Sequence, residues 1–528
     1  MSVRHVLLGA AALSQLLATA ATAQVAPPPV VTAPAKPAGS AYLQCDGQPN
    51  NMTDGEMAAR LLGAVTLLGL FAKAPESADA SKRLSGAAGV AACSSLIEGE
   101  RKEGNPNRRI GLILGRAIHQ IEAKNYDAAM ADVAMARREA EAAGLTRDPY
   151  WQRSRGRSFD QLEAAILFRQ GKAAEAQAVS LRMTEAQRYA LFGLADLDDY
   201  QNFVAQPAAI EDQRAQAMTR LFWVTGVGRA SRLEQAGRYA EAAKLRDALI
   251  DFDTVHTPET NNSALMAQAA ISHALAGNWE IAAARATAAR ANSEARTAAG
   301  KPEDSQSELV ELLDLYGILD TAHKGDVKAA RRLFSARSQW VSPSYGAVSA
   351  VNRQLREGAS ADELIGGLAK TPEQLWAERV EAKKAALLAK DSDNKTLFSN
   401  LTSAQSPASY TGLSKNIWQT DKSRLILKKK ADSKDPFQLM YQYGLAPDVA
   451  QQAYLLHAAL MSKAQGQPGF VFQPIMADSL FAGSFRPGKL GDKGFAPELY
   501  YNADEVIAAL RVLFPDPATL KAQAAAKK

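Results

Sequence analysis

Histidine is scarce in this chain. There are six in 528 residues: His5, His119, His256, His273, His323 and His457. No two stand at metal-binding helical spacing and none sits in a two-carboxylate cluster, so neither a zinc site nor a histidine acid–base centre is expected. H-E-x-x-H and G-x-S-x-G strings are both missing. Gly226-Val227-Gly228 has Ser231 where a dinucleotide loop needs its third glycine, and no strand precedes it. Ser392-Asp393-Asn394-Lys395 merges S-x-x-K with S-D-N on one serine, whereas penicillin-recognising enzymes keep them on separate elements, and no K-T-G accompanies it. Asp196, Asp198 and Asp199 lack the glycine and distal glutamate of a calcium loop. The expectation is a chain without catalytic residues, metal or cofactor.

An excess of one charge is also missing. The 61 basic and 56 acidic residues leave a net charge of +5. That balance carries no nucleic-acid footprint, and Arg108-Arg109 and Lys428-Lys429-Lys430 read as solvated faces. Strand-forming residues are sparse before position 410 and alanine is abundant, which predicts a mostly helical protein. Cysteine is limited to Cys45 and Cys93. In an exported chain such an even, minimal count reads as one disulfide; the alternative is two buried thiols. Beyond the N-terminus no run is apolar enough to span a membrane.

The N-terminus itself is distinctive. Arg4 and His5 precede an apolar stretch from Val6 to Leu17, and Ala21-Thr22-Ala23 follows. This pattern predicts a secretory signal over 1–23 with cleavage before Gln24. The apolar core is short of the ~20 residues a spanning helix needs. Residues 24–40 are Pro- and Ala-rich and read as a linker. The mature chain is therefore expected in the periplasm or secreted.

Between 109 and 390 one corner recurs. Ala236–Ala243 (AGRYAEAA) and Ala276–Ala283 (AGNWEIAA) each place a glycine, Gly237 or Gly277, between two helices. Tyr239 and Trp279 then begin the second helix and are expected to pack inward. Ala230, Ala242, Ala270, Ala282 and Ala289 keep the two helices close. An earlier unit has Ala117, Ala129 and Ala136 at the same relative places, with Lys124-Asn125 as its corner. This small-residue spacing resembles the tetratricopeptide repeat, and the resemblance implies stacked helical hairpins that present a binding surface. The corners fall near 124, 171, 237, 277 and 325, with a hint near Gly358. Their spacing runs from 40 to 66 residues, where the family keeps about 34, so the array is irregular. Pro343–Ser349 reads as a break, and Thr371-Pro372-Glu373 as the start of another helix with Pro in its first turn.

Residues 391–414 are Ser-, Thr- and Asn-rich and read as a second linker. After it come a strand at Ile417–Leu427, a helix at Asp448–Gln465, strands at Gly469–Met476 and Phe481–Phe485, and a helix at Asp504–Leu513. That order predicts a small α+β domain over 415–516, followed by a flexible tail, 517–528. Its YLLHAALMSKAQGQPGFVFQPI piece is similar in layout to small envelope lipoprotein domains of alphaproteobacteria. Residues 41–108 are read as a disulfide-tied helical cap that includes a helix at 54–71. The expected architecture is thus mainly α: an irregular α-helical hairpin solenoid followed by a small α+β C-terminal domain.

The functional expectation is an exported, non-catalytic interaction scaffold that binds a peptide or protein of the cell envelope. Arg486, Lys489 and Lys493, in the Gly/Pro-rich stretch 484–495, are candidates for contact with an anionic ligand. The alternative is a hydrolase-like envelope enzyme with its site in the C-terminal domain.

Overall fold

The computed structural model describes residues 39–50, 77–100, 102–195, 198–205, 208–256, 262–302, 306–337, 340, 345–389, 393–401, 410–420, 438–441, 447–477 and 480–526. The signal stretch, the helix expected at 54–71 and most of the strand expected at 417–427 lie outside the described residues. The N-terminal cap consists of α1 (Ala41–Asp46) and α2 (Gly86–Ile97), packed on α3 (Pro106–Glu122). Cys45 of α1 is bonded to Cys93 of α2, and both are fully buried. Arg108 and Arg109 are not solvated faces. Arg108 grips Asp46 with two bonds of 2.5 and 2.9 Å, and Arg109 grips Glu139 at 2.7 and 3.0 Å. Each guanidinium finds a carboxylate across a helix interface, in the fork geometry that favours arginine.

Five helical hairpins follow the chain. They are α3 with α4 (Tyr126–Ala142), α5 (Arg157–Arg169) with α6 (Ala173–Ser180), and, after α7 (Ala209–Leu221), α8 (Thr225–Gln235) with α9 (Tyr239–His256). Then come α10 (Ser263–Leu275) with α11 (Trp279–Ala298) and α12 (Gln306–His323) with α13 (Val327–Ser335). All five corners share one backbone solution. Lys124, Gly171, Gly237, Gly277 and Gly325 have positive φ. At Gly237 the N–H donates to the Glu234 carbonyl at 3.1 Å and the next N–H, of Arg238, to Leu233 at 2.9 Å. The same pair of bonds recurs at the other four corners, which is the Schellman closure of a helix end. Ala117, Ala129, Ala136, Ala230, Ala242, Ala270, Ala282 and Ala289 are all 0% exposed between the paired helices. Tyr239 and Trp279 are only half-buried. Trp279 stacks on His323 of the next hairpin, 3.8 Å between ring centres, so the ring fills the seam between units and not its own hairpin. At Gly358 the expected sixth hairpin has α14 (Tyr345–Arg356) as its first arm, but two 3₁₀ turns, Ala361–Glu363 and Gly366–Leu368, as its second.

The segment read as a second linker is structured at both ends. After α15 (Pro372–Ala389), α16 (Asp393–Asn400) buries Leu397 and turns back onto the N-terminal cap. Its Phe398 lies against His119, 5.1 Å between ring centres, and under the Arg83 guanidinium at 4.2 Å. Ile417 ends a short helix, Ser414–Ile417, and does not begin a strand. Tyr410, Leu413 and Ile417 are all buried, and their spacing of three and four residues is helical, not alternating.

The C-terminal unit comprises β1 (Gln438–Tyr441), α17 (Pro447–Ala464), β2 (Gly469–Ala477), β3 (Leu480–Gly488), β4 (Tyr500–Asn502) and α18 (Ala503–Leu510). Its four strands are antiparallel in the order β1-β3-β2-β4. Pro474 is accommodated because β4 covers only Gly469–Val471 of β2, which leaves the proline's outer edge free. The tail is helical as α19 (Pro517–Ala526), capped by Asp516.

This unit does not stand apart. Its core is continuous with Tyr150, Leu191, Leu194, Met218 and Leu221 of the helical body. Asp448 pairs with Arg157 at 2.6 Å and accepts from the Gly193 N–H at 3.2 Å, and Gln451 accepts from the Leu191 N–H at 2.6 Å. The long interval between the corners at 171 and 237 is the docking platform for α17. Short helices replace a hairpin there, so that their ends can meet the polar groups of α17. Among the described residues, no helix is long and apolar enough to cross a membrane.

Candidate functional site

A cavity of about 300 Å³ opens between the Asp198–Tyr200 turn, α7, α8, α14 and α15. One glycine brings α14 within reach. A Cβ on Gly346 would stand 1.8 Å from the Ser231 carbonyl oxygen, and the Gly346 N–H donates to Ser231 Oγ at 2.9 Å. Any side chain at 346 would force α14 off α8. The break expected at Pro343–Ser349 is therefore, over its described part, the first turn of a helix in backbone contact with its neighbour. Thr371 starts α15 with reciprocal bonds to Gln374 of 2.8 and 3.2 Å, a capping box. From that start Trp376, Arg379 and Lys383 fall on one helical face.

Four arginines line the cavity, Arg214, Arg229, Arg232 and Arg379, against three carboxylates, Asp198, Glu211 and Asp212. Every carboxylate is engaged. Asp198 pairs with Arg214. Glu211 takes Arg232 at 3.2 Å and the Gln177 amide at 2.8 Å. Asp212 takes Arg229 at 3.3 Å and Arg238 at 3.0 Å. Arg232 also lies over the Trp376 ring at 4.9 Å. Arg379 has no carboxylate partner among the described residues; its guanidinium rests over the Tyr345 ring at 4.7 Å. Its side chain is exposed at the surface, yet enough protein crowds around it for desolvation to lower its pKa.

Three hydrogen-bonding groups along this wall are buried without a protein partner among the described residues: Arg214 Nε, Arg229 Nη1 and the Tyr345 hydroxyl. Leaving such a donor unmet costs roughly 1–3 kcal/mol. Burial pushes the Tyr345 hydroxyl up to about 12, so it remains a donor at neutral pH. At the rim, Lys383 donates to the Gln201 and Asp198 carbonyls at 2.7 and 3.3 Å and lies over the Phe203 ring at 5.0 Å. Burial brings its pKa down to about 8; Asp198 and Asp199 oppose that fall, and Arg379 and Arg214 add to it. The cavity thus joins unmet donors, surplus positive charge and aromatic walls, an arrangement suited to an acceptor-rich anion with an apolar part.

None of these arginines stood out in the sequence, because each is an ordinary helical residue there. The signal that was available is the Trp376, Arg379, Lys383 spacing on α15. Asp198, of the acidic cluster that lacks calcium-loop features, anchors Arg214.

The three sequence candidates of the basic loop are not gathered into one site. Lys489 and Lys493 are exposed. Arg486 is turned into the seam between the C-terminal unit and α9, donating to His256 Nδ1 at 3.2 Å beneath the Phe495 ring. His256 Nε2 donates to the Gly494 carbonyl at 3.0 Å. Gly494 has φ +83, and a Cβ there would press on the imidazole at 2.8 Å. The His256 ring also meets Phe252 and Phe495 edge-on at 4.6 and 5.5 Å. Burial first, then Arg486, brings its pKa down to about 4, against the opposing Gly494 bond.

His256 is therefore neutral in the folded chain over a range where an unfolded chain already protonates it. Its contribution to stability is complete above pH 6.5 and is lost as pH falls toward 4, about 3 kcal/mol in all. Urea titrations at pH 7 and pH 4.5 should show this loss, and it should be smaller in His256→Gln. An equal loss in both chains would remove His256 from the account.

Three of the other described histidines are held by hydrogen bonds, and His323 is stacked on Trp279. His119 bonds the Cys45 carbonyl at 2.6 Å and Glu122 at 2.8 Å, His273 bonds Asp247 at 2.8 Å, and His457 is fully buried against the Ile417 carbonyl at 2.7 Å. No protein-family model matches the sequence, and neither a curated protein nor a solved structure matches it significantly.

Proposed function

We propose that this chain is an exported, non-catalytic interaction protein, and that its helical array binds a peptide or protein of the cell envelope in the cleft between α7–α8 and α14–α15. The observation that carries this reading is the arginine-rich wall itself, whose buried donors have no protein partner among the described residues and can meet the acceptors of a bound segment. The cleft carboxylates, Asp198, Glu211 and Asp212, are all held by arginines, so they serve as supports for cations and not as free bases. Export is supported by the signal-like N-terminus and by the Cys45–Cys93 bridge, which suits an oxidising compartment. Binding would use side chains already held by helices, so little ordering entropy is lost.

Affinity capture from an envelope fraction tests this. The mature chain should retain a defined protein that Arg379→Glu does not retain. Equal retention by both chains would remove the cleft from the contact, and no retention by either would remove the scaffold reading.

A further inference from the structure

We infer that the cleft recognises a carboxylate carried by a short acidic peptide segment, with Arg379 and Arg229 as its ion-pairing groups and Tyr345 as a hydroxyl donor. The inference rests on the binding reading above and specifies the ligand. Among the described residues, Arg379 is the one lining arginine without an acidic partner. Arg229 spends Nε on Asp212 at 3.3 Å and keeps Nη1 buried and unmatched. Arg214, 6% exposed, likewise has an unmatched Nε beside its bonds to Asp198 and the Leu194 carbonyl. These planar donors and a neutral phenol match the two oxygens of a carboxylate. Trp376 and Tyr345 already sit under guanidinium groups, and they form walls for the methylene part of an acidic side chain. A volume of about 300 Å³ is at the small end of ligand sites, which are roughly 300–1,000 Å³. That favours a few residues of extended chain over a folded domain.

The probe is fluorescein-labelled acetyl-triglutamate, followed by anisotropy against the full mature chain at low ionic strength. Saturable binding is expected, weakening as salt is raised. Arg379→Glu should bind roughly tenfold to a hundredfold more weakly. Because Arg379 forms no ion pair among the described residues, this variant should keep the melting curve of the parent. Tyr345→Phe separates ligand contact from packing: loss of affinity at unchanged stability supports the inference, and unchanged affinity counts against it. A C-terminally amidated probe and a triglutamine probe with a free C-terminus distinguish the carboxylate sources. Binding of the amidated probe alone assigns side-chain carboxylates, and binding of the triglutamine probe alone assigns the terminal one. No binding of any probe, or equal binding by Arg379→Glu, overturns the inference.

The two readings also fail separately. An envelope protein that is captured through the cleft but not displaced by excess acetyl-triglutamate defeats the carboxylate inference and leaves the scaffold intact. Cleft-dependent probe binding without any captured protein does the reverse.

Discussion

Breaking the Cys45–Cys93 bridge is expected to destabilise the N-terminal cap by about 4 kcal/mol, from the chain-entropy cost of freeing its loop. The bonded residues are 48 apart in sequence, so the unfolded cap gains a long unconstrained segment on reduction. What remains afterwards is modest. The helix holding Cys45 is six residues long, too short to persist without tertiary support. It is otherwise tied by the Arg108–Asp46 fork, by the His119 bond to the Cys45 carbonyl, and by Tyr42 donating to Glu103 at 2.8 Å. The loss should therefore stay local. Hydrogen exchange should show the Gly86–Ile97 amides losing protection in the Cys45→Ala/Cys93→Ala chain, while those of Ser263–Leu275 keep theirs. Unchanged protection in the cap would mean that packing alone holds it.

Replacing Glu234 by Leu should cost about 3–5 kcal/mol, because it strands a buried charge. Arg246 and Glu234 are 1% and 0% exposed at the side chain and lie 2.8 Å apart. Arg246 also bonds Ser272 at 3.1 Å and Gln268 at 2.5 Å, and Ser272 donates to Glu234 at 2.6 Å. Glu234 belongs to α8, Arg246 to α9, and Gln268 and Ser272 to α10. The network therefore joins one hairpin to the next. An ion pair this deep contributes little net energy against a packed apolar pair, but removing one partner is severe. The Glu234→Leu/Arg246→Met double variant should then recover most of the loss. A thermodynamic cycle from urea denaturation measures it. Additive single losses, or a Glu234→Leu cost below about 1 kcal/mol, would mean that water reaches Arg246.

The same network shows how far the sequence could be read. Gly237, three residues after Glu234, was legible as a corner: a helix that must reverse within two residues needs a left-handed residue, and glycine adopts that conformation without strain. The alanines around it were legible for a similarly local reason, since only a small side chain lets two helices approach. Glu234 and Arg246 were not legible, because charged residues on a helix normally face water, and the third helix that covers them belongs to the following hairpin. Ile417, expected to open a strand, ends a short helix. The neighbours that bury it with Tyr410 and Leu413 lie at helical spacing, and α17, which covers them, comes later in the chain.

The candidate cleft lies entirely on the illegible side. Its two walls, residues 198–235 and 345–383, are separated in the chain by the five helices α9 to α13. Nothing local marks them as neighbours except the close approach of Gly346 to Ser231, which is meaningful only once the helices are paired. The docking of the C-terminal unit onto residues 184–221 is of the same kind. By itself the sequence determined the helical class, the corners, the small-residue contacts and the single bridge. Those depend on backbone conformation, side-chain size and the count of one residue type, all set within a few positions of chain. Tertiary structure alone decided which charges are buried, where the α+β unit sits and which arginine of the cleft has no acidic partner among the described residues. Those outcomes depend on surfaces far apart in the chain burying one another, and on which polar groups still lack a partner when they do.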